Sequence, residues 1–250
     1  MLTGFFSALQ FLTIIPLGAA VHGEQINLSR GRPYFPVIGL FLGLVLAATN
    51  VGLSLLLAQK LLVSVLLVSA LAIITGGLHL DGLADTFDAL GSGKERIRML
   101  EIMRDAHIGT MGVLGIIFVV ALKIALLYSL PAQDVGPALL LMCLLSRYVM
   151  VLAIFLFSYA RDEGKAKAFF TGKSKKEFFS VTVFSLAGAT IIGQLLGLAI
   201  FLLAALFAVL AARIIARKIG GLTGDTLGAI NELTEVFVLF TMLVMEGSKG

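Results

Sequence analysis

Apolar runs, each about the length needed to cross a bilayer, recur along most of the chain with short polar loops between them. They predict spans at about 37–58, 61–78, 112–130, 138–158 and 233–246. The run 179–212 is apolar for 34 residues. That is too long for one span and predicts two short ones, turned near Gly193-Gln194 or Gly197. Residues 1–21 are apolar but broken by Gly4, Pro16 and Gly18, which predicts a helix lying at the membrane interface. Pro131 and Pro137 are expected to bracket a loop before the fourth span. Backbone groups in lipid must bond internally, and unbroken Leu/Ile/Val/Ala runs do so as helices. The expected fold is all-α: a polytopic bundle of six to seven transmembrane helices, one integral-membrane domain over 1–250, with acidic loops facing the cytoplasm.

Composition sharpens this picture. The chain is 59% hydrophobic with a mean hydropathy of +1.04, and only 14% is charged, against roughly a quarter in a soluble domain. A soluble binding module is therefore excluded. Most of the nineteen basic residues fall in loops that alternating spans would put on one side, as the positive-inside rule requires. The net charge of +4 thus reflects membrane orientation, and no nucleic-acid partner is expected. The first residues lack a basic n-region and a small-residue cleavage pattern, so no cleaved signal peptide is expected. The single cysteine, Cys143, lies in an apolar run and reads as a small core residue.

The stretch 75–112 departs from the apolar pattern. It carries six of the fifteen acidic residues. Asp81, Asp85 and Asp88 are spaced four and three apart, on one face of a helix expected at about 81–90. Three carboxylates this close at a membrane need compensation, and a magnesium ion shared with a substrate phosphate supplies it. A solvated face, or pairing with nearby arginine, would show the same spacing. Gly82 would let the backbone approach a ligand. His79 reads equally as a substrate contact or as a polar residue at the interface. A second, amphipathic piece is expected at 94–106. There Glu101 and Asp105 share a face, beside Arg104 and His107, and either complete a metal site or hold an arginine toward phosphate. An ordinary surface helix would look the same.

A third acidic set lies near the end. Gly220, Gly221 and Gly224 lead into a helix with Asp225, Asn231, Glu232 and Glu235. A glycine-rich turn before a helix either cradles phosphate on its first amides or simply starts a span. Acids that run into an apolar span favour a functional role. Lys123 and Arg147 lie inside spans, and Arg147 either binds an anionic substrate or pairs with an acid. The basic loop 161–176 reads most simply as a positive-inside anchor, with attraction of a nucleotide the weaker reading.

Taken together, FLTIIP, YFPVIGLFLG, GGLHLDGLADTFDAL, EIMRDAHIGTMG and GGLTGDTLGAINELTE occur in an order that resembles the cobalamin synthase family, the adenosylcobinamide-GDP ribazoletransferases. The resemblance covers essentially the whole chain. It departs at Ala106-His107, where the family more often has Ser-Arg, and at Ala89, where it commonly has Gly; the first departure argues against a direct role for His107. The resemblance implies a magnesium-dependent enzyme of the cytoplasmic (inner) membrane. Such an enzyme joins adenosylcobinamide-GDP to α-ribazole or its 5′-phosphate, giving adenosylcobalamin or its 5′-phosphate and GMP. On this reading Asp81, Asp85, Asp88, Asp105 and Asp225 are the expected metal ligands. Asp88 or Glu232 is the expected base. His79, Gly82, Arg104, Arg147 and Gly224 are the expected substrate contacts. The bilayer is the expected surrounding, and a homo-oligomer stays open. The aspartates also look like those of the CDP-alcohol phosphotransferases, but Asp85 stands where those enzymes carry arginine. A cation-coupled transporter is the alternative from another class. It would want ionisable groups at mid-membrane and inverted repeats.

Overall fold

The computed structural model describes residues 2–16 and 28–247. The part of the N-terminal stretch beyond residue 16, with Gly18, lies outside the described residues. Helix α1 (Leu2–Leu12) has 11 residues, about 16 Å, too short to cross a bilayer. After a short helical turn α2 (Leu28–Gly31) and a 3-10 turn come α3 (Phe35–Leu56) and α4 (Lys60–Ile74). Then follow α5 (Leu78–Gly91), α6 (Arg96–Ile102), α7 (Thr110–Ser129) and α8 (Ala132–Leu156). The turn α9 (Lys167–Phe170) precedes α10 (Lys175–Ile219) and α11 (Gly224–Gly247).

Among the described residues five helices are long and apolar enough to cross a membrane, or six with the bent pair α4–α5. Counting α10 as two arms adds one more. A straight helix of its 45 residues would run about 68 Å, twice the hydrocarbon thickness. Gln194 breaks it with φ 52° and ψ −131°, and Gly197 comes against the carbonyl of Ala189, so the chain doubles back there. This is the expected hairpin. Leu55 and Leu56 on α3 and Ile191 and Leu195 on α10 are about four-fifths exposed, as lipid-facing residues are. The chain is a multi-pass helical membrane protein.

Three expected boundaries shift. Helix α8 begins at Ala132 and contains Pro137, which was expected to close a loop. So near a helix start, a proline forfeits only one intrahelical bond. Helix α11 begins at Gly224, nine residues before the expected span, so all the acids of the third set ride on it. The amphipathic helix α6 is shorter than the expected 94–106 and ends at Ile102.

Helix α8 is the hub. It packs against α3, α10 and α11 and is buried along nearly its whole length. On α3, Gly39 sits against the carbonyl of Cys143, and a Cβ at Gly43 would lie 2.9 Å from Leu140 Cα. Small residues at these places allow the two backbones to close.

Four charges lie within this bundle. Lys123 on α7 donates to Glu232 of α11 at 2.6 Å and also to Glu235. Arg147 on α8 donates to Glu235 and, at 2.8 Å, to the Ser146 hydroxyl. Asn231 donates to Glu235 at 3.0 Å. All four charged side chains are buried, and two cations offset two anions. Such a set costs desolvation but, once formed, fixes α7, α8 and α11 in one register.

Glu235→Ala would leave Arg147 buried without its partner. The expected loss is about 3–5 kcal/mol of stability. Thermal unfolding of the purified protein in detergent reads it directly. Glu235→Gln, which keeps one acceptor, should lose less.

Candidate active site

Three segments meet at one end of the bundle. The first is α5. At Gly76 (φ 61°) and Gly77 (φ 69°) the chain turns through left-handed backbone, and α5 leaves α4 at 89°. The second is the start of α11. Gly220 (φ 78°) and Gly221 (φ 153°) end α10. The Thr223 amide then donates to the Thr226 hydroxyl at 2.8 Å, and the Thr226 amide donates to the Thr223 hydroxyl at 3.2 Å. This reciprocal pair satisfies orphan donors of the helix start. The third is the loop after α8. Leu222 donates to Ser158 O at 2.9 Å, and Ala160 donates to Leu222 O at 2.8 Å. That short bridge carries Arg161 to Asp225, 3.0 Å from Nη2 to Oδ2.

The result is a cavity of about 280 Å³. Its polar wall includes His79, Asp81, Tyr159, Arg161 and Asp225, and its apolar wall includes Phe11, Phe35 and Phe169. Asp85 lies beside it, in the field of Asp225, Asp81 and Asp88 with Arg161 as the opposing cation. Arg161 is mostly buried, with its Nη2 paired to Asp225 and its Nε without a hydrogen-bond acceptor. Both ring nitrogens of His79 are likewise buried and unpartnered. Burial pushes the Tyr159 phenol upward, so it stays a neutral hydroxyl near neutral pH. A second, open cleft of about 720 Å³ also touches Arg161 and is lined by Arg96 and Arg104 together with the carboxylates of Glu95, Glu101, Asp162 and Glu163.

The structure brings Asp81, Asp85, Asp225, Gly224 and His79 together, as the sequence suggested. It assigns other candidates elsewhere. Asp88 does not stand free as a base. Its carboxylate accepts from the Gly109 amide at 2.6 Å and the Gly112 amide at 2.8 Å, capping the start of α7. A Cβ at Gly109 or Gly112 would collide with that carboxylate, which explains both glycines. Glu232 is not a base either, since its carboxylate is held by Lys123 inside the bundle. Arg147 is wholly buried against Glu235 and is no substrate contact. Gly82 serves packing rather than a ligand: a Cβ there would lie 2.6 Å from Asp225 O. Asp105 is exposed and bonded to His107 at 2.7 Å, which holds its carboxyl below the usual range. The charges acting on Asp105 are His107 and Arg98, not the other aspartates. Glu101 pairs with Arg98 at 2.8 Å. Arg104 lines the second cleft, not the cavity.

Arg161, Lys165 and Tyr159 line the cavity, and none of the three is singled out by the sequence, which marks the first two only as part of a basic loop. Arg161 heads a run of lysines, and only its contact with α11 distinguishes it from an anchor.

Magnesium is the metal the family resemblance implies. Among the described residues no three His, Cys, Asp or Glu side chains converge on one point. Magnesium asks for less: one or two carboxylates, with waters and substrate phosphates completing an octahedron. Asp81 and Asp85 are hard oxygen donors with no ion-pair partner among the described residues, and Asp225 adjoins them, so the donor set fits.

The cobalamin-5-phosphate synthase family model matches residues 4–243. A relative from Geotalea daltonii, named adenosylcobinamide-GDP ribazoletransferase, is 34% identical and covers 99% of each chain. A relative of the same name from Alkaliphilus metalliredigens is 38% identical over 96% of this chain and 95% of its own. A third, from Thermoanaerobacter pseudethanolicus, is 36% identical over 93% of each. No solved structure matches. With nearly its full length matched, and with the Asp81 and Asp225 motifs gathered at one cavity, the chain belongs to the cobalamin-5-phosphate synthase family.

Proposed function

We propose that the chain is an adenosylcobinamide-GDP ribazoletransferase. It transfers the phosphocobinamide part of adenosylcobinamide-GDP to α-ribazole or its 5′-phosphate and releases GMP. The observation that carries this is the near full-length match to relatives of that name, joined to a cavity where Asp81, Asp225 and Arg161 meet.

The chemistry is a displacement at phosphorus. A ribose hydroxyl of the acceptor forms a new P–O bond, the bond to the GMP oxygen breaks, and the hydroxyl proton must be taken up. Because an acceptor with a 5′-phosphate also serves, the attacking oxygen is a ring hydroxyl. Charge gathers on the non-bridging oxygens and on the departing GMP. The free Nε–H of Arg161 suits those oxygens, and Lys165 adds a second cation at the cavity wall. Asp81 lines the cavity unpaired and is placed to orient the hydroxyl and accept its proton. Asp85, with Asp225 beside it, would hold magnesium together with waters and substrate phosphates, and the ion would neutralise the pyrophosphate. Asp88 acts indirectly, by fixing α7 against α5.

The buried ions are not a transporter's binding site on this reading, because Lys123, Arg147, Glu232 and Glu235 neutralise one another. The cytoplasmic (inner) membrane, with the site facing the cytoplasm, is supported by loop charge. The loops expected on one side do meet at one end: Arg32 binds Glu177 at 2.6 Å, Arg96 donates to Ala160 O at 3.2 Å, and Arg161 reaches Asp225.

The deciding assay is GMP release by purified protein in lipid, given both substrates. Release should require magnesium, stop on chelation, and fall by at least about a hundredfold in Asp81→Asn, the scale of losing a principal charge-stabilising or proton-transfer group. No release from folded protein with both substrates and magnesium would reject the assignment. Orientation has its own test. Cys143 is buried, so Glu163→Cys supplies one accessible thiol. In intact cells it should resist an impermeant maleimide and react only once the membrane is opened. Labelling from outside would contradict the cytoplasmic site.

A further inference from the structure

The two cavities that share Arg161 differ in size, closure and chemistry, and so do the two reactants. The enclosed cavity, about 280 Å³, sits just below the roughly 300–1,000 Å³ typical of small-ligand pockets. An adenosylated corrin with its nucleotide is several times too large for it. The acceptor, a benzimidazole riboside, is of the right scale. The apolar wall is a cluster of three phenylalanine rings. Phe11 and Phe169 meet edge to face at 4.8 Å, and Phe35 meets Phe169 at 5.3 Å. Phe35 and Phe169 are buried beneath, which leaves Phe11 as the partly open ring. A planar fused aromatic base is the ligand such a wall accepts best. The polar wall offers the Tyr159 hydroxyl and the Asp81 carboxylate. A benzimidazole riboside answers both, with one unsubstituted ring nitrogen to accept from the hydroxyl and ribose hydroxyls to donate to the carboxylate.

Resting on the transferase reading above, we infer that this aromatic-walled cavity is the acceptor site. It holds the base of α-ribazole against Phe11 and beside Tyr159, with the ribose toward Asp81 and Arg161. The corrinoid substrate, which carries the phosphorus, enters from the open cleft that shares Arg161. In-line displacement then needs the ribose hydroxyl and the departing GMP on opposite sides of that phosphorus.

The chain has no tryptophan, so the fluorescence of α-ribazole itself can be followed without tryptophan background. Titrating wild-type protein with α-ribazole alone should give a saturable change, reversed by the free benzimidazole base but not by ribose 5-phosphate. Phe11→Leu keeps the apolar volume and removes the aromatic face; Tyr159→Phe keeps the ring and removes the cavity's hydroxyl. Each should raise the KM for α-ribazole by roughly tenfold, the scale of losing one stacking or hydrogen-bonding partner, and leave the KM for adenosylcobinamide-GDP unchanged. A signal reversed by GMP, no saturable signal, or variants that shift only the corrinoid substrate's KM would overturn the acceptor site while leaving the transferase standing. Wild-type protein that never turns over both substrates would instead sink the reading beneath it.

Discussion

Two carboxylates of α11, Glu232 and Glu235, neutralise Lys123 of α7 and Arg147 of α8 out of reach of water. Apolar packing holds helices together in lipid only weakly, because lipid tails solvate leucine as well as another leucine does. A buried set of matched charges is directional, and the alternatives to its one register each strand a charge. It fixes how far α11 slides along α7 and α8. Asp225 lies seven residues before Glu232 on the same helix. The depth and azimuth of the acidic cavity therefore follow from an ion network deeper in the bundle.

The other side of the cavity is set by close approach. Gly82 allows α5 to lie against the first turn of α11, and Asp88 ties the end of α5 to the start of α7. The aspartates of one helix face thus divide their work. Asp81 and Asp85 are left unpaired near Asp225 and Arg161, while Asp88 is consumed as a cap. Unpaired carboxylates beside an arginine with a free donor store an electrostatic cost that an oxygen-ligated cation and a pyrophosphate would jointly relieve.

Much of this was legible in the sequence, for identifiable reasons. Spans show as apolar runs, and the α10 hairpin showed because 34 apolar residues exceed one bilayer. The acids showed through helical spacing. Their division of labour did not, because Asp81 and Asp88 share a face and differ only in what lies opposite. Arg147 and Glu235 are 88 residues apart, and Lys123 and Glu232 are 109 apart, so no local pattern announces either pair. Glu232 was read as chemistry because an acid entering a span is costly; the cost is real, but buried partners relieve it. Arg161 was hidden in a basic loop whose orientation role accounted for every charge.

That α5 and α11 build one catalytic site is the claim on which the rest turns, and a double-mutant cycle of Asp81→Asn and Asp225→Asn on kcat/KM measures it. One shared site predicts a coupling of about 1–3 kcal/mol, with the second substitution costing much less once the first is made. Losses that simply add, or an Asp225→Asn enzyme as active as wild type, would contradict it.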